Sequence, residues 1–386
     1  KLYLECGRCE APGLSVTKML TGLSSGSTST QLELVAGFCA AQHSYAKASQ
    51  EIEVHHGQSF DRTSVRRMAL QVEAGAKLYA EQERKKATSE LEHRKHGPER
   101  LMLQSDGGSV RTGVLKPCEP GDEGYGKETP TGRARRKREI HKRELITMDV
   151  REPGQAEPLA LDVVVPIVAP PGQRSHRMLA AAARAGLFDN TQVLGLGDLG
   201  SSLPQAFDEA FHGYDHLYSG DWKHACDYVD AAAGVLDGGV DHECWNKQMR
   251  DCIWNRNLVE RDRLLHQAHM HRDPTLLAPE QRCPVYAIES YLRNNWDRMN
   301  AKQLKAKELD FVSARAEAQV RDRTKDRYSG PATWHVDNLE GKAILRAIIA
   351  EGNWHSFRKW YVERNASRFE RELRKRLERA VAEQRL

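Results

Sequence analysis

The 386 residues are 39% hydrophobic and 29% charged, which fits a soluble globular protein of two or three domains. No run approaches the ~20 apolar residues of a membrane span, and the start, Lys1-Leu-Tyr-Leu-Glu5, lacks the basic and apolar regions of a secretory signal. Eight cysteines without a disulfide framework indicate reduced thiols, hence a cytoplasmic protein, and the absence of an initial Met leaves room for residues upstream.

Cys6-Gly-Arg-Cys9 is a knuckle with only two of the four ligands that a structural zinc site needs, so Zn2+ is not expected as a complete centre in this chain and the pair reads as a half-site. From 27 to 84 the pattern is helical and polar outside. Thr28 or Ser29 can cap a helix carrying Leu32, Leu34, Val35, Phe38 and Cys39, a second helix follows from Ser44, and Asp61 or Ser64 can cap a third. That third segment sets Arg62, Arg66 and Arg67 beside Val65 and Met68. Two short helices, a glycine-containing turn and a basic third segment predict a helix-turn-helix module; an ordinary helical bundle with a charged face is the alternative. Residues 77–96 are charged and read as a helical linker.

Strand patterns then cover 101–105, 109–114, 144–150, 159–168 and 193–196, with the Gly- and Pro-dense loop 117–131 between the second and third. The net charge of +4 hides a dense basic run at 133–143, with Arg133, Arg135, Arg136, Lys137 and Arg138. It suits a phosphate backbone, or is a solvated hairpin. Helices are expected at 175–185 and 202–211, a further strand at 214–218, and helices rich in Trp, His and Cys from 225 to 299. Two capping boxes, Asp337-Asn-Leu-Glu340 and Ser367-Arg-Phe-Glu370, predict two last helices, the second with Phe369, Leu373, Leu377 and Val381 on one stripe.

Asp106 ends the run Leu101-Met-Leu-Gln-Ser, and Asp198 ends Val193-Leu-Gly-Leu-Gly. Glu317 falls inside a helical segment expected to open near Ser313. Two acids at strand ends and one on a helix are what a two-metal phosphoryl-transfer site requires, because acids of one sign converge only around a cation. Three unrelated surface acids would show the same spacing.

The segment Asp106-Gly-Gly-Ser-Val-Arg-Thr-Gly113 resembles the first-acid stretch of bacterial insertion-sequence DDE transposases of the Kra group. Gly197-Asp198, a helix and then Asp221-Trp-Lys-His224 are similar to its second-acid region. Tyr291-Leu-Arg-Asn-Asn-Trp-Asp-Arg-Met299 looks like the stretch before its third acid, and Val312-Ser-Ala-Arg-Ala-Glu317 aligns with that acid's own motif. Val312 and Ala314 stand where the family has glycines, as does Leu199 after the second acid.

The resemblance implies an α/β protein: an RNase H-like core, a mixed sheet with flanking helices, interrupted by an all-helical insertion and preceded by a helix-turn-helix-like DNA-binding domain. Its expected divisions are 1–26, a zinc-ribbon remnant; 27–97, the DNA-binding domain and linker; 98–224 and 301–363, the core; 225–300, the insertion; and 364–386, a terminal amphipathic helix. It further implies Asp106, Asp198 and Glu317 as catalytic ligands of two Mg2+, with Mn2+ able to substitute, and Asp221 and His224 as supports near the site. The expected activity is cutting transposon ends and joining them to target DNA, by a homodimer or larger assembly in the bacterial cytosol and nucleoid, with no membrane partner. Arg62, Arg66, Arg67, Arg111, Arg133, Arg135, Arg136, Lys137, Lys325 and Arg327 are the candidate contacts to double-stranded DNA. The departures at Val312, Ala314 and Leu199 leave a domesticated, inactive DNA-binding protein as the alternative, and a structure-specific nuclease as a second.

Overall fold

The structure, a computed structural model, describes residues 3–4, 14–15, 28–130, 132–164, 172–199, 202–272, 283–313 and 334–383. Cys6, Cys9, Ala314, Glu317, Lys325 and Arg327 lie outside the described residues. The chain divides into two compact units: Lys1–Glu83, Arg111–His141 and Gly330–Leu386 form the first, and Arg84–Val110 with Lys142–Ser329 the second.

In the first unit, helix α1 spans Thr30–Gln42, α2 Tyr45–His56 and α3 Arg62–Ser89. Ser29 and Ser44 cap the first two by accepting from Leu32 N and Lys47 N, each at 3.2 Å. Gly57, at φ 64°, ends α2 in the left-handed conformation that favours glycine. Asp61 caps α3, accepting from Thr63 N at 2.8 Å and Ser64 N at 3.0 Å. The expected linker at 77–96 begins inside this helix, because residues 62–89 contain no proline and Ala76 and Tyr79 pack in its core.

Helix α11 spans Val336–Ala350 and α12 Trp354–Glu383. Ile344, Leu345, Ile348, Phe357 and Tyr361 close with Leu34, Val72 and Tyr79 into one apolar cluster. The helix opens at Val336, one residue before the Asp337 expected to cap it, and His335 occupies the cap position without a side-chain cap bond. Nor does a helix open at Ser367. That residue lies inside α12, whose 30 residues contain neither Gly nor Pro to break it. The expected stripe of Phe369, Leu373, Leu377 and Val381 lies outside the described side chains.

A five-stranded mixed sheet organises the second unit and is compatible with an RNase H-like core. Strand β1 is Arg100–Pro117, β2 Arg136–Arg151, β3 Ala160–Val164, β4 Gln192–Gly197 and β5 His216–Gly220, and the order across the sheet is β3-β2-β1-β4-β5. The two runs expected at 101–105 and 109–114 are one strand, and much of the basic run is β2. β1 and β5 each pair parallel with β4, while β2 and β3 pair antiparallel. Helices α4, Gln173–Arg184, and α5, Leu203–Phe211, supply Met178, Ala181, Leu203 and Phe207 to the core against Leu101, Ile146 and Val193.

The helical stretch then comprises α6 Trp222–Ala233, α7 His242–Asn255, α8 Leu258–Met270 and α9 Pro284–Asn295. Trp245 is its buried centre, and its indole nitrogen donates to Leu264 O at 3.0 Å. A 3-10 turn, Trp296–Arg298, leads to the short α10, Ala301–Ala306. The turn fastens this stretch to the sheet. Arg298 pairs with Asp208, its guanidinium lies 5.8 Å from the Tyr218 ring, and its carbonyl accepts from Ser219 Oγ at 3.3 Å. No described helix is long and apolar enough to cross a membrane.

Candidate active site

The last paired residues of the central strands are Ser105 on β1 with Gly197 on β4, and Gly197 with Gly220 on β5. The next residue on each strand is an acid: Asp106, Asp198 and Asp221. Because the three strands are parallel and neighbours lie ~4.8 Å apart, these acids stand side by side where the parallel pairing ends, Asp198 and Asp221 just past their strands and Asp106 within β1, which, contrary to the expected strand end, runs on to Pro117.

The three environments differ. Asp106 is buried, accepts from Gly107 N at 2.7 Å, and its carbonyl receives Thr147 Oγ1 of β2 at 3.5 Å. Asp198 is half-buried, and its carbonyl accepts from the Tyr218 hydroxyl at 3.5 Å. Burial pushes that phenol well above its usual range, with Asp198 adding to the shift and Ser105 opposing it, so it stays a neutral donor. Asp221 is fully buried and saturated by hydrogen bonds. One oxygen accepts from Lys223 N at 2.6 Å and His224 N at 3.3 Å, capping α6. The other accepts from the backbone N at 2.6 Å and the hydroxyl of Ser313. Asp221 therefore caps α6 and fixes Ser313 with the same carboxylate. His224 lies in the first turn of α6, half-buried, and its Nδ1 has no hydrogen-bond partner among the described residues.

A further acid joins Asp106 and Asp198. Glu144, on β2, has its carboxylate against the backbone beside Asp106: a Cβ placed on Gly107 would stand 2.6 Å from Glu144 Oε1 and would push that carboxylate aside. Partial desolvation raises the Glu144 pKa, Arg174 of α4 opposes the rise, and the charges of Asp198 and Asp106 add to it. Sequence reading missed Glu144. On an antiparallel strand, the acid that shares an edge with Asp106 must precede its apolar run, and Glu144 does precede Leu145-Ile-Thr-Met-Asp-Val150.

Leu199, where a glycine was expected, is buried over Gly220; a Cβ on Gly220 would fall 2.3 Å from Leu199 Cδ1. Among the described residues only Arg256 and Glu308 have positive φ without being glycine, so Val312 occupies a backbone conformation open to any residue. Arg62, Arg66 and Arg67 point to solvent on α3 while Val65 and Met68 point inward. Arg111, Arg133, Arg135 and Arg136 are exposed, whereas Lys137 is bound by Asp122 at 2.9 Å and Glu119 at 3.3 Å.

Among the described residues, no group of three or more His, Cys, Asp or Glu is arranged to hold a metal ion. Asp106 and Asp198 suit divalent cations chemically, as hard oxygen donors of one sign on adjacent strands. No protein-family model matches the chain, and no curated protein matches it. Among solved structures, the Drosophila P element transposase strand transfer complex is similar at 10% identity, covering 87% of this chain and 95% of that one with a TM-score of 0.35.

Proposed function

We propose that this chain is a DNA transposase of the DDE type, resembling the Kra group of bacterial insertion sequences, which cuts transposon ends and joins them to target DNA. The observation that carries this reading is the parallel pairing that ends at Ser105–Gly197 and sends Asp106 and Asp198 out together. The third acid of the reading is Glu317, on the segment whose start Asp221 holds through Ser313. Asp106, Asp198 and Glu317 would hold two Mg2+, which supply a lowered pKa for the attacking water or 3′-hydroxyl and offset charge on the leaving oxygen.

The chain's own contribution is placement. The sheet fixes Asp106 and Asp198, the Thr147 hydroxyl steadies the Asp106 backbone, and Arg174 opposes excess negative charge near Glu144. The exposed Arg62, Arg66 and Arg67, as part of a helix-turn-helix-like module, suit the phosphate backbone of duplex ends. Strand cleavage of end-containing duplex DNA with Mg2+ or Mn2+ tests the reading. Asp106→Ala and Asp198→Ala should each lower cleavage by about 1000-fold or more, as expected when a positioned charge acting only in the transition state is removed. Equal cleavage by Asp106→Ala and the native chain would refute the site.

A further inference from the structure

Between residues 111 and 141 the two long strands form a ribbon in the first unit, closed by the loop 118–135. Side chains alternate along each strand. The Lys116 ammonium pairs with Glu139, so Lys116 and Glu139 share one face. Thr112 and Val114 belong to that face with Lys116, and Lys137 and His141 with Glu139. Its cations are paired: Lys116 with Glu139, and Lys137 with Asp122 and Glu119.

The opposite face carries Arg111, Gly113 and Leu115 from one strand and Arg136, Arg138 and Ile140 from the other. Arg111, Arg136 and Arg138 are exposed, and among the described residues none of them has an ion-pair or hydrogen-bond partner through its side chain. No acid stands on this face in 111–117 or 136–141. Leu115 is 52% exposed and Ile140 46%, an unusual openness for aliphatic strand residues.

One face of the ribbon is thus neutralised within the chain, and the other presents guanidinium groups interleaved with aliphatic side chains. Arg136 and Arg138 lie ~6.7 Å apart along the strand. That is about two phosphate steps of ~3.4 Å each along the duplex axis on one DNA strand, so the two guanidinium groups match alternate phosphates. A two-stranded ribbon also fits the B-form major groove, where aliphatic side chains meet thymine methyl groups.

We infer that this face, through Arg111, Arg136 and Arg138, docks on double-stranded B-form DNA, with Leu115 and Ile140 against the groove. The inference rests on the transposase reading only for its choice of partner. It divides the basic run in two: Arg136 and Arg138 contact phosphate, and Lys137 does not.

The test is the salt dependence of binding by the full chain to a 30-base-pair DNA duplex and to an RNA duplex of equal length, between 50 and 200 mM NaCl. The combined Arg111→Ala, Arg136→Ala, Arg138→Ala variant should bind with a log–log salt slope shallower by about 2.7, roughly 0.9 per lost phosphate contact. The paired variant Lys116→Ala, Lys137→Ala should keep the native slope. RNA should bind more weakly than DNA, because the A-form major groove is too narrow for a ribbon. Circular dichroism and thermal midpoints matching the native chain show that each variant is folded; single Arg→Gln substitutions replace any that is not. An unchanged slope in the triple variant, an equal change in the Lys116, Lys137 variant, or equal affinity for RNA would each overturn the docking face. In each of those cases, native DNA binding and Asp106-dependent cleavage leave the transposase reading standing. A native chain that neither binds nor cleaves duplex DNA removes both.

Discussion

Asp221 holds Ser313 by two hydrogen bonds to one carboxylate oxygen, from the backbone N at 2.6 Å and from the hydroxyl. They are 92 positions apart, with the whole helical stretch between them, so this contact closes a long loop beside the acids at the sheet edge. Asp221→Ala removes the cap of α6 and leaves buried Ser313 donors unmet. Caps contribute about 1 kcal/mol and each unmet buried donor costs about 1–3 kcal/mol, so a loss near 3 kcal/mol is expected in urea unfolding. Ser313→Ala should cost about 1 kcal/mol. A double-mutant cycle should give a coupling above ~0.5 kcal/mol; strictly additive effects would show that the contact is not formed in solution.

Glu144 shares its surroundings with Asp106 and Asp198, and its raised pKa means that the ionised form is disfavoured in the fold. For an acid with a raised folded pKa, the unfavourable contribution is present above that pKa and is relieved as pH falls through it. Glu144→Gln should therefore stabilise the fold slightly at pH 7, by a few tenths of a kcal/mol given its exposure to solvent. If Glu144 tunes the ligands, the same variant should lower metal-dependent cleavage by about 10- to 100-fold. A variant that loses stability and keeps full cleavage would argue that Glu144 is only a structural neighbour.

The parallel part of the site was legible from residue order. An acid directly after an apolar run can mark the carboxyl edge of its strand: Asp198 and Asp221 stand just past the ends of β4 and β5, whereas Asp106, expected at a strand end, lies inside β1, which runs on to Pro117. Glu144 was hidden because β2 runs the other way, so its acid comes before the run. The ribbon's two faces were hidden for another reason. The basic run shows its charge in sequence, but only the partners Asp122 and Glu119 reveal that Lys137 is neutralised while Arg136 and Arg138 are not. The Ser367 capping box misled because such spacing also occurs inside helices, and nothing in 354–383 breaks the chain.

Leu199 and Gly220 form a complementary pair, a large side chain on one strand end over a bare Cα on the next. Gly220→Ala forces a methyl to within 2.3 Å of Leu199 Cδ1 and should destabilise by about 1–3 kcal/mol through overpacking. Leu199→Ala alone should also cost about 2–3 kcal/mol by leaving a cavity. Together they should cost clearly less than the sum, since the smaller residue at 199 accommodates the methyl at 220. Additive losses in chemical denaturation would count against the pairing.

Asp162 is buried with its carboxylate forked onto Arg84, at 2.8 Å to Nε and 3.0 Å to Nη2, and with Arg177 at 3.8 Å. Burial alone would raise its pKa, but the charge and hydrogen bonds of Arg84, followed by Arg177 and Arg184, bring it down to about 2. A carboxyl with a depressed folded pKa contributes stability that is complete above its unfolded value of ~3.9 and is lost as pH falls towards the folded one. Urea midpoints should therefore drop between about pH 4 and pH 2, with this group supplying on the order of 2 kcal/mol of the loss. Asp162→Asn should flatten that part of the profile. At pH 7 it should cost about 3–5 kcal/mol, because Arg84 stays buried without its counter-charge. Replacing both residues by apolar ones of similar volume, Arg84→Met with Asp162→Leu, should recover much of the loss, since no charge is then left in the core. An Asp162→Asn profile that falls as steeply as the native one below pH 4 would place the acid sensitivity elsewhere.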